Sequence, residues 1–280
     1  MFKYISRVII LWKLEVMIPR KFVLFLTPLI LAVVGCTSCV AAQQVHREKR
    51  TVSGEELQKL AIERAKAEAT PVQAIQMTAQ QQGDSRLYRH YSGGPTVRDL
   101  LSSQEGEYIC FGRNTGLPGG LPDQPVKSQH EAIRELIRSA DAVVVGIVQD
   151  KTSLLTDTGD FIFTNYSLTP QEILKDNPAD PIKRKTALTV SRPGGLIRID
   201  DRVVEAVDEA FPLLRKGSRY VLFLRYIVKT GSYQALGSVA TYDLQDGRAS
   251  ALTTESTNIP TMDELCFLGE IRSAVLRGAR

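Results

Sequence analysis

The chain has 280 residues, of which 43% are hydrophobic and 24% are charged, and its formal net charge is +4. The apolar content excludes a wholly disordered chain, and 20 Gly and 13 Pro without a period exclude a collagen-like fibre. A single long apolar stretch excludes a polytopic membrane protein. The first 35 residues hold five basic residues and one acid, so the remainder is electrically balanced. We therefore expect one core-bearing domain with appendages, and the net charge indicates no polyanionic partner.

The N-terminus has the pattern of an export signal. An apolar run, Phe22–Gly35, follows the basic pair Arg20–Lys21 and precedes small and polar residues. The run is short for a membrane-spanning helix, although extension through Ala42 gives the length of an uncleaved anchor. We expect residues 1–35 to be an export signal, and Met17 alone opens a signal of ordinary proportions.

Two cleavage positions are compatible with this signal. Residues Val33–Cys36 resemble the bacterial lipoprotein pattern, with an aliphatic residue three before the cysteine and a small residue just before it. By that resemblance, Cys36 carries the lipid and the mature protein is tethered to the cell envelope. Cleavage after Val40–Ala42, before Gln43, also fits the small-residue rule and gives a periplasmic or secreted protein.

Only Cys110 and Cys266 remain in the body of the mature chain. Export places both in an oxidising compartment, where an even pair is more often a disulfide than two free thiols. We therefore expect a bridge between them, and the alternative is two buried, unpaired cysteines.

Residues 36–127 are expected to be a polar spacer and loop region that is partly helical. Ser53–Glu56 is a capping box that predicts the start of a helix. Glycine and proline dominate the second half, residues 84–127, and predict turns and loop. Aromatic residues in this loop indicate that it packs on something: Tyr88, Tyr91, Tyr108 and Phe111.

Residues 128–255 are expected to form a helix followed by a β-barrel. Ser128–Glu131 is a capping box followed by apolar residues at helical spacing. Ala142–Val148 is apolar throughout and rich in valine, which is typical of a central buried strand. Further strands are predicted at Phe161–Leu168, Ala187–Ser191, Leu196–Ile199, Arg202–Val207, Arg219–Lys229 and Tyr233–Leu244.

The absence of long helices between these segments predicts a fold that is mainly β with flanking helices. An antiparallel OB-like barrel is the expected architecture, and a β-sandwich is the alternative. Asp246-Gly247 predicts a two-residue hairpin turn. The tail, residues 256–280, is expected to be the C-terminal helix.

The segments Ser139–Val148, Glu172–Asp176 and Lys216–Leu224 together resemble the order of elements in netrin-type modules. These are exported OB barrels that include the tissue inhibitors of metalloproteinases, and similar barrels occur in uncharacterised exported bacterial proteins. The resemblance covers residues 139–243. Such inhibitors approach the target zinc through an N-terminal cysteine, and no cysteine lies at the first barrel strand here. The resemblance therefore implies the fold and not protease inhibition.

Signatures of common catalytic and cofactor sites are absent from the sequence. There is no G-x-S-x-G, P-loop or G-x-G-x-x-G motif, and the three histidines, His46, His90 and His130, lack metal-ligand spacing. We expect no cofactor and no metal. The favoured interpretation is a non-catalytic binding module, exported and membrane-tethered. The alternative is an envelope enzyme whose site is assembled from loop 84–127 and the barrel mouth.

A glycine pair flanked by arginines is the most distinctive local feature. Gly194 and Gly195 allow close backbone approach, and three arginines surround them: Arg192, Arg198 and Arg202. Such guanidinium groups are suited to gripping a carboxylate or a phosphate of a protein or cell-envelope component. The alternative is a tight turn with solvated arginines. No nucleic-acid partner is expected, because the balanced body lacks a broad basic field.

Overall fold

The computed structural model describes residues 54–72, 77–91, 93–112, 128–208, 210–237, 239–252 and 260–278. Lys59–Arg280 form one compact unit, and Met1–Gln58 form another, of which only the last five residues are described. The predicted export signal, both cleavage positions and the lipidation residue Cys36 lie outside the described residues.

Helices flank a fold that is mainly β, as predicted. The helices are α1 (Gly54–Glu68), α2 (Ala79–Leu87), α3 (Val97–Ser103), α4 (Gln129–Ser139) and α5 (Glu264–Gly278), with a 3-10 helix at Arg89–Tyr91. The strands are β1 (Thr70–Pro71), β2 (Tyr108–Gly112), β3 (Ala142–Leu155), β4 (Ile162–Lys175), β5 (Leu188–Pro193), β6 (Gly195–Ile199), β7 (Arg202–Val207), β8 (Arg219–Ile227), β9 (Ser232–Ala235), β10 (Thr241–Gln245), β11 (Arg248–Ala251) and β12 (Met262–Asp263).

Five strands close into a barrel in the order β3, β4, β5, β9 and β8, and β8 pairs back with β3. Neighbouring strands are antiparallel except β5 and β9, which run parallel with Val190 opposite Tyr233. The closed ring confirms the prediction of an OB-like barrel with flanking helices. The parallel pair departs from the wholly antiparallel arrangement that the sequence predicted.

Strand β3 is buried on both faces. Alternate residues, Ala142, Val144 and Val148, belong to a core cluster that draws on all five barrel strands and fills the barrel interior. The intervening residues Val143 and Val145 face outward and pack in a second cluster with α4 and α5. This two-sided burial explains why the sequence of the strand is apolar at successive positions.

A second sheet, in the order β1, β6, β7 and β2, corrects the prediction that residues 36–127 are a spacer. Its edge strands come from that region and pair in parallel with β6 and β7. Tyr88 stacks on Phe163 with ring centroids 5.3 Å apart, and Tyr91 stacks on Phe161 at 4.2 Å. The polar composition misled because a few buried aromatic rings, together with buried polar residues such as Asp84, dock the segment, while other polar residues are exposed.

The barrel sheet extends beyond the ring through β10, β11 and β12. Asp246 and Gly247 have φ of +52° and +72° and join β10 to β11, which confirms the predicted hairpin turn. The predicted single strand Tyr233–Leu244 is instead divided between β9 and β10. The chain leaves the sheet between them, so that β9 closes the barrel on one side of β8 and β10 pairs on the other.

Helices α4 and α5 cover the outward face of the barrel. The predicted capping box at the start of α4 is present, with Ser128 Oγ accepting from the Glu131 amide. Ile133 and Ile137 of α4 pack with Phe267 and other apolar residues of α5 over β3 and β8. These two helices and the end of β4 define the groove described below.

Candidate functional site

Arg192, the centre of the predicted binding loop, is a core residue. Its side chain is 1% exposed, and its two terminal nitrogens donate to Thr241 Oγ1 at 2.6 Å and to the Pro212 carbonyl at 3.1 Å. The guanidinium carbon also lies 5.5 Å from the centroid of the Phe211 ring. Burial lowers the pKa of Arg192. The prediction that Arg192 grips an external ligand is therefore wrong, because strand alternation turns it into the barrel beside Val190.

Gly194 and Gly195 serve close packing between strands. They have φ of +83° and +154°, which glycine adopts without strain. A Cβ on Gly194 would lie 2.9 Å from the Ala206 carbonyl oxygen, and one on Gly195 would lie 2.2 Å from Thr164 Oγ1. Both positions require glycine, because a side chain at the junction of β5 and β6 would clash with neighbouring backbone and side-chain atoms. Their predicted role in ligand binding is not supported.

The other two arginines of the loop do not converge with Arg192. Arg198 is exposed at its strand position. Arg202 Nε donates to the Gly106 carbonyl at 2.7 Å, and its terminal nitrogens donate to the carbonyls of Leu101 and Gln104. Arg202 therefore holds the end of α3 and the segment before β2. The three arginines of the predicted site therefore do not form one site. Arg192 is buried in the core, Arg198 is exposed to solvent, and Arg202 binds backbone carbonyls.

Both cysteines of the mature body are free, which corrects the predicted disulfide. Cys110 lies on β2 in the second sheet, whereas Cys266 lies in α5 on the barrel sheet. Both are exposed rather than buried, so the alternative of two buried thiols is also wrong. Partial burial raises the pKa of the Cys110 thiol, and a hydrogen bond with Asp263 raises the pKa of Cys266.

The alternative enzyme site, at loop 84–127 and the barrel mouth, is filled in the part that is described. Asp84 is fully buried and accepts from Asn165 Nδ2 at 2.9 Å and Ser232 Oγ at 2.6 Å. Tyr88 is also fully buried, and its hydroxyl donates to a strand β5 serine. Across residues 84–112, except the undescribed residue 92, these polar groups are used in docking the segment to the barrel.

The two described histidines contact different partners. His90 Nδ1 is 2.9 Å from the Leu87 carbonyl, and His130 Nδ1 is 2.6 Å from Glu270 Oε1. His46 lies outside the described residues. Within the ranges that are described, no group of three or more His, Cys, Asp or Glu residues is arranged to hold a metal ion.

A different surface has the features of a binding site. A groove of about 1070 Å³, which we call the helix groove, lies between α4, the C-terminal end of α5 and the end of β4. Its floor is apolar: Ile137 and Leu174 are buried, and Ala274 and Val275 are half-buried. The amphipathic pattern of α4 explains one wall of the groove. The apolar face of this helix packs on the barrel, and its polar face lies at the edge of the groove.

Three exposed arginines form the rim of the helix groove: Arg134 and Arg138 of α4, and Arg277 of α5. None of the three has a hydrogen bond or an ion pair from its guanidinium group within the described part of the chain. Arg134 and Arg138 are four residues apart, so they stand one above the other on the same face of α4. The rim is therefore a row of exposed guanidinium groups that have no partner among the described residues.

The remaining charged groups of the groove are engaged by the protein itself. Lys175 Nζ donates to the Ile137 carbonyl at 2.8 Å and to the Ala140 carbonyl, and desolvation lowers its pKa. Asp176 accepts from the amides of Asn177 and Ile182, both at 2.9 Å. Glu131 belongs to the capping box of α4. The charge that is free to meet a ligand is consequently positive.

The rim arginines differ from a fourth arginine close to them on α5. Arg272 makes a two-pronged ion pair with Glu172 of β4, with both nitrogen–oxygen distances at 2.8 Å. This pairing lowers the pKa of Glu172 and fixes α5 to the barrel. The helix wall is thus anchored by one arginine, while Arg277 is left at the rim. An apolar floor under unpaired guanidinium groups is suited to binding a ligand that has both apolar and anionic parts.

Sequence reasoning did not find the helix groove, although part of the signal was present. The Arg134 and Arg138 pair at one-turn spacing is visible in the sequence of α4. The floor combines residues of α4, β4 and α5, and Leu174 and Val275 are about 100 residues apart in the chain. No local sequence pattern predicts a contact between residues so far apart in the chain.

Comparison with models of protein families gives no match to this chain, and none of the curated proteins compared with it matches either. None of the helices in the described part of the chain has the length and apolar content that a bilayer crossing requires.

Proposed function

We propose that this protein is an exported, membrane-tethered and non-catalytic binding module that holds a carboxylate-bearing segment of a protein partner in its helix groove. The observation that carries the proposal is the row of arginines, Arg134, Arg138 and Arg277, which have no partner among the described residues and lie beside an apolar floor. Buried apolar contacts at the floor supply affinity, and charge pairs at the rim supply specificity.

The N-terminal pattern supports export and the tether. A basic pair, an apolar run and a cysteine after small residues are the parts of a lipoprotein signal, with Cys36 as the modified residue. A tethered module with a concave, partly apolar surface is suited to retaining a partner at the envelope. The proposed role requires no reaction at the groove, because its lining supplies positioned charges and apolar contacts.

Export and tethering are tested by expressing the full chain in a bacterium that receives radiolabelled fatty acid. We expect label on the parent and on the Cys39→Ala variant, recovered with the membranes, and none on Cys36→Ala. Cys39 is the matched control because it lies three residues away in the same segment. An unlabelled parent chain whose N-terminus is Gln43 would contradict the tether and retain export. A parent that stays unprocessed in the cytoplasm would contradict both.

Binding at the helix groove is tested in the same cells with a photo-crosslinking amino acid at Val275. Ser273 of the same helix is the matched control, because it is exposed and does not line the groove. We expect a discrete adduct only from Val275, and we expect Arg134→Glu with Arg138→Glu to abolish it. Arg86→Glu with Arg98→Glu, on exposed helix arginines elsewhere, should leave it unchanged. Equal adducts from both positions would contradict the proposal.

A further inference from the structure

A second concave surface lies between the end of α1, β3 and the turn before β8, and we call it the charged pocket. Its volume is about 310 Å³, and Ala67 is its one uncharged lining residue. The lining cations are Arg64, Lys151, Arg215 and Lys216, and the lining carboxylates are Glu68 and Asp150. Four cations against two carboxylates give a local charge of +2. Such a lining favours a small anionic ligand over an apolar one.

Backbone bonds fix the turn that carries Arg215 and Lys216. The Ser218 amide donates to the Arg215 carbonyl at 3.2 Å, and Gly217 has the positive φ, +80°, that a turn of this kind requires. The Gly217 amide donates to the Val148 carbonyl at 2.8 Å, and the Val148 amide donates to the Ser218 carbonyl at 3.1 Å. The turn is therefore tied to β3, and it presents its two cations from a fixed backbone.

The α1 side of the charged pocket is fixed as well. Glu68, at the end of α1, accepts from Arg64 Nε at 2.8 Å and from Lys151 Nζ of β3 at 2.7 Å. Thr70 Oγ1, two residues after α1, accepts from the Ser153 amide at 3.0 Å. These contacts hold the last turn of α1 to β3. Charged groups from three separate elements consequently line one pocket.

The pocket has more hydrogen-bond donors than the protein satisfies. Arg64 uses only Nε, so its two terminal nitrogens have no acceptor among the described residues. An ammonium group has three N–H donors, and Lys151 uses one of them on Glu68. Lys216 uses one on Asp150 Oδ1, at 3.0 Å. The remaining N–H groups of these three side chains are available to oxygens of a ligand.

The ion pairs at the mouth of the pocket are weak competitors for such a ligand. The side chains of Lys216 and Asp150 are 63% and 67% exposed, and pairs as exposed as this contribute only about 0–1 kcal/mol. The Arg64 side chain is 73% exposed. These cations can therefore turn toward a bound anion at little cost in stability.

We infer that the charged pocket binds a phosphate group, whose oxygens accept from Arg64, Lys151 and Lys216. Its oxygens point in several directions and can meet donors from α1, β3 and the turn, whereas the two oxygens of a carboxylate lie in one plane. A phosphate monoester carries a charge close to −2 at pH 7, which matches the local +2. The volume is at the small end of ligand pockets, so the phosphate belongs to a small molecule or a lipid headgroup.

The charged pocket shares no lining residue with the helix groove, so this inference is independent of the proposed function. Its test is calorimetric titration of the purified full chain with glycerol 3-phosphate. Lys151→Gln with Lys216→Gln should weaken the affinity by about tenfold or more. Lys183→Gln with Lys185→Gln removes the same charge from exposed lysines outside the pocket, and should leave the affinity unchanged. Equal losses in the two double variants would overturn the inference.

A variant that tightens binding makes the test independent of folding. Asp150→Asn removes a carboxylate that competes with the ligand for Lys216, and should strengthen the affinity by about threefold or more. A partly unfolded protein cannot give this result. Asp201→Asn removes an exposed carboxylate outside the pocket, and should leave the affinity unchanged. Unchanged or weaker binding by Asp150→Asn would overturn the inference.

Two further probes identify the chemistry and the source of the phosphate. Acetate at the same ionic strength should bind far more weakly, and an affinity equal to that of glycerol 3-phosphate would overturn the phosphate class. Vesicles of phosphatidic acid in phosphatidylcholine present the same monoester as a lipid headgroup. Vesicle binding that is lost in Lys151→Gln with Lys216→Gln would support a lipid source, whereas binding of glycerol 3-phosphate without vesicle binding would support a soluble one. Failure of the parent chain to bind either probe would overturn the inference.

Discussion

The molecule contains two groups of arginines that look alike in sequence and differ in their partners. In the first group, Arg192 and Arg202 donate to hydroxyl and carbonyl oxygens of the fold. In the second group, Arg134 and Arg138 have no acceptor in the described residues. The difference teaches that the availability of a guanidinium group, rather than its proximity to a distinctive loop, decides whether it can recognise a ligand.

The two groups also differ in what surrounds them. Arg192 is buried in the barrel, where its guanidinium group bonds to Thr241 and to the Pro212 carbonyl. The helix groove lies beside the helices that cover the outward face of the barrel sheet, among residues of the outward core cluster. Changes in the first group should therefore alter stability, and changes in the second should alter binding.

The largest expected effect on stability comes from Arg192→Ala. It leaves a cavity and removes the donor to the Pro212 carbonyl, and should lower the free energy of unfolding by about 2–4 kcal/mol. Arg192→Met fills most of the volume without a buried charge, and should cost less than the alanine variant. Urea unfolding of the three proteins measures both. Unchanged stability of Arg192→Ala would contradict a core role for this residue.

Gly195→Ala should have the next largest effect. Its Cβ would lie 2.2 Å from Thr164 Oγ1 and 2.7 Å from Ser153 Oγ, and we expect a loss of about 1–3 kcal/mol. Gly237→Ala is the matched control, because a Cβ there has no neighbour within 4 Å. Thermal unfolding should show a lower Tm for the first variant only. A similar Tm for both would mean that the turn at Gly195 is not tightly packed.

Arg202→Ala should lower stability by about 1–2 kcal/mol, because three backbone carbonyls at the end of α3 lose a donor. Arg198→Ala provides the comparison on the neighbouring strand, and an exposed arginine should change stability by less than about 0.5 kcal/mol. Hydrogen exchange of the α3 amides should increase in the first variant. Equal exchange in both variants would argue against the clamp.

The smallest effect on stability is expected from Arg134→Ala with Arg138→Ala. Both side chains are exposed and alanine favours the helix, so the free energy of unfolding should change by less than about 0.5 kcal/mol. Urea unfolding of the double variant beside the parent checks this. A loss of several kcal/mol would show that the rim arginines stabilise the fold. This result would contradict the proposed difference between the two groups of arginines.

Much of the fold was predictable because its signals are local. The valine run of β3, the Ser128 capping box and the Asp246-Gly247 turn each specify one element through its own residues. The docking of the described parts of residues 69–112 was not predictable to the same degree, since it depends on contacts of Tyr88 and Tyr91 with rings that are distant in the sequence. Composition averages over a segment, whereas docking depends on a few buried side chains.

The candidate site was mispredicted for a related reason. The Arg192–Arg202 segment is distinctive in sequence, but its glycines and arginines are distinctive because the fold needs them there. Which face of β5 carries Arg192 depends on register, and register depends on pairing with β4 and β9. The helix groove forms only when α5 packs beside α4, a contact that no single segment specifies.

The most direct test of the account is the photo-crosslinking adduct at Val275 in three proteins with measured stabilities. We predict that Arg134→Ala with Arg138→Ala loses most of the adduct while its stability is unchanged, and that Arg192→Met keeps the adduct of the parent. The opposite pattern, with a normal adduct in the rim variant and a weakened adduct in Arg192→Met, would contradict the assignment of binding to the helix groove.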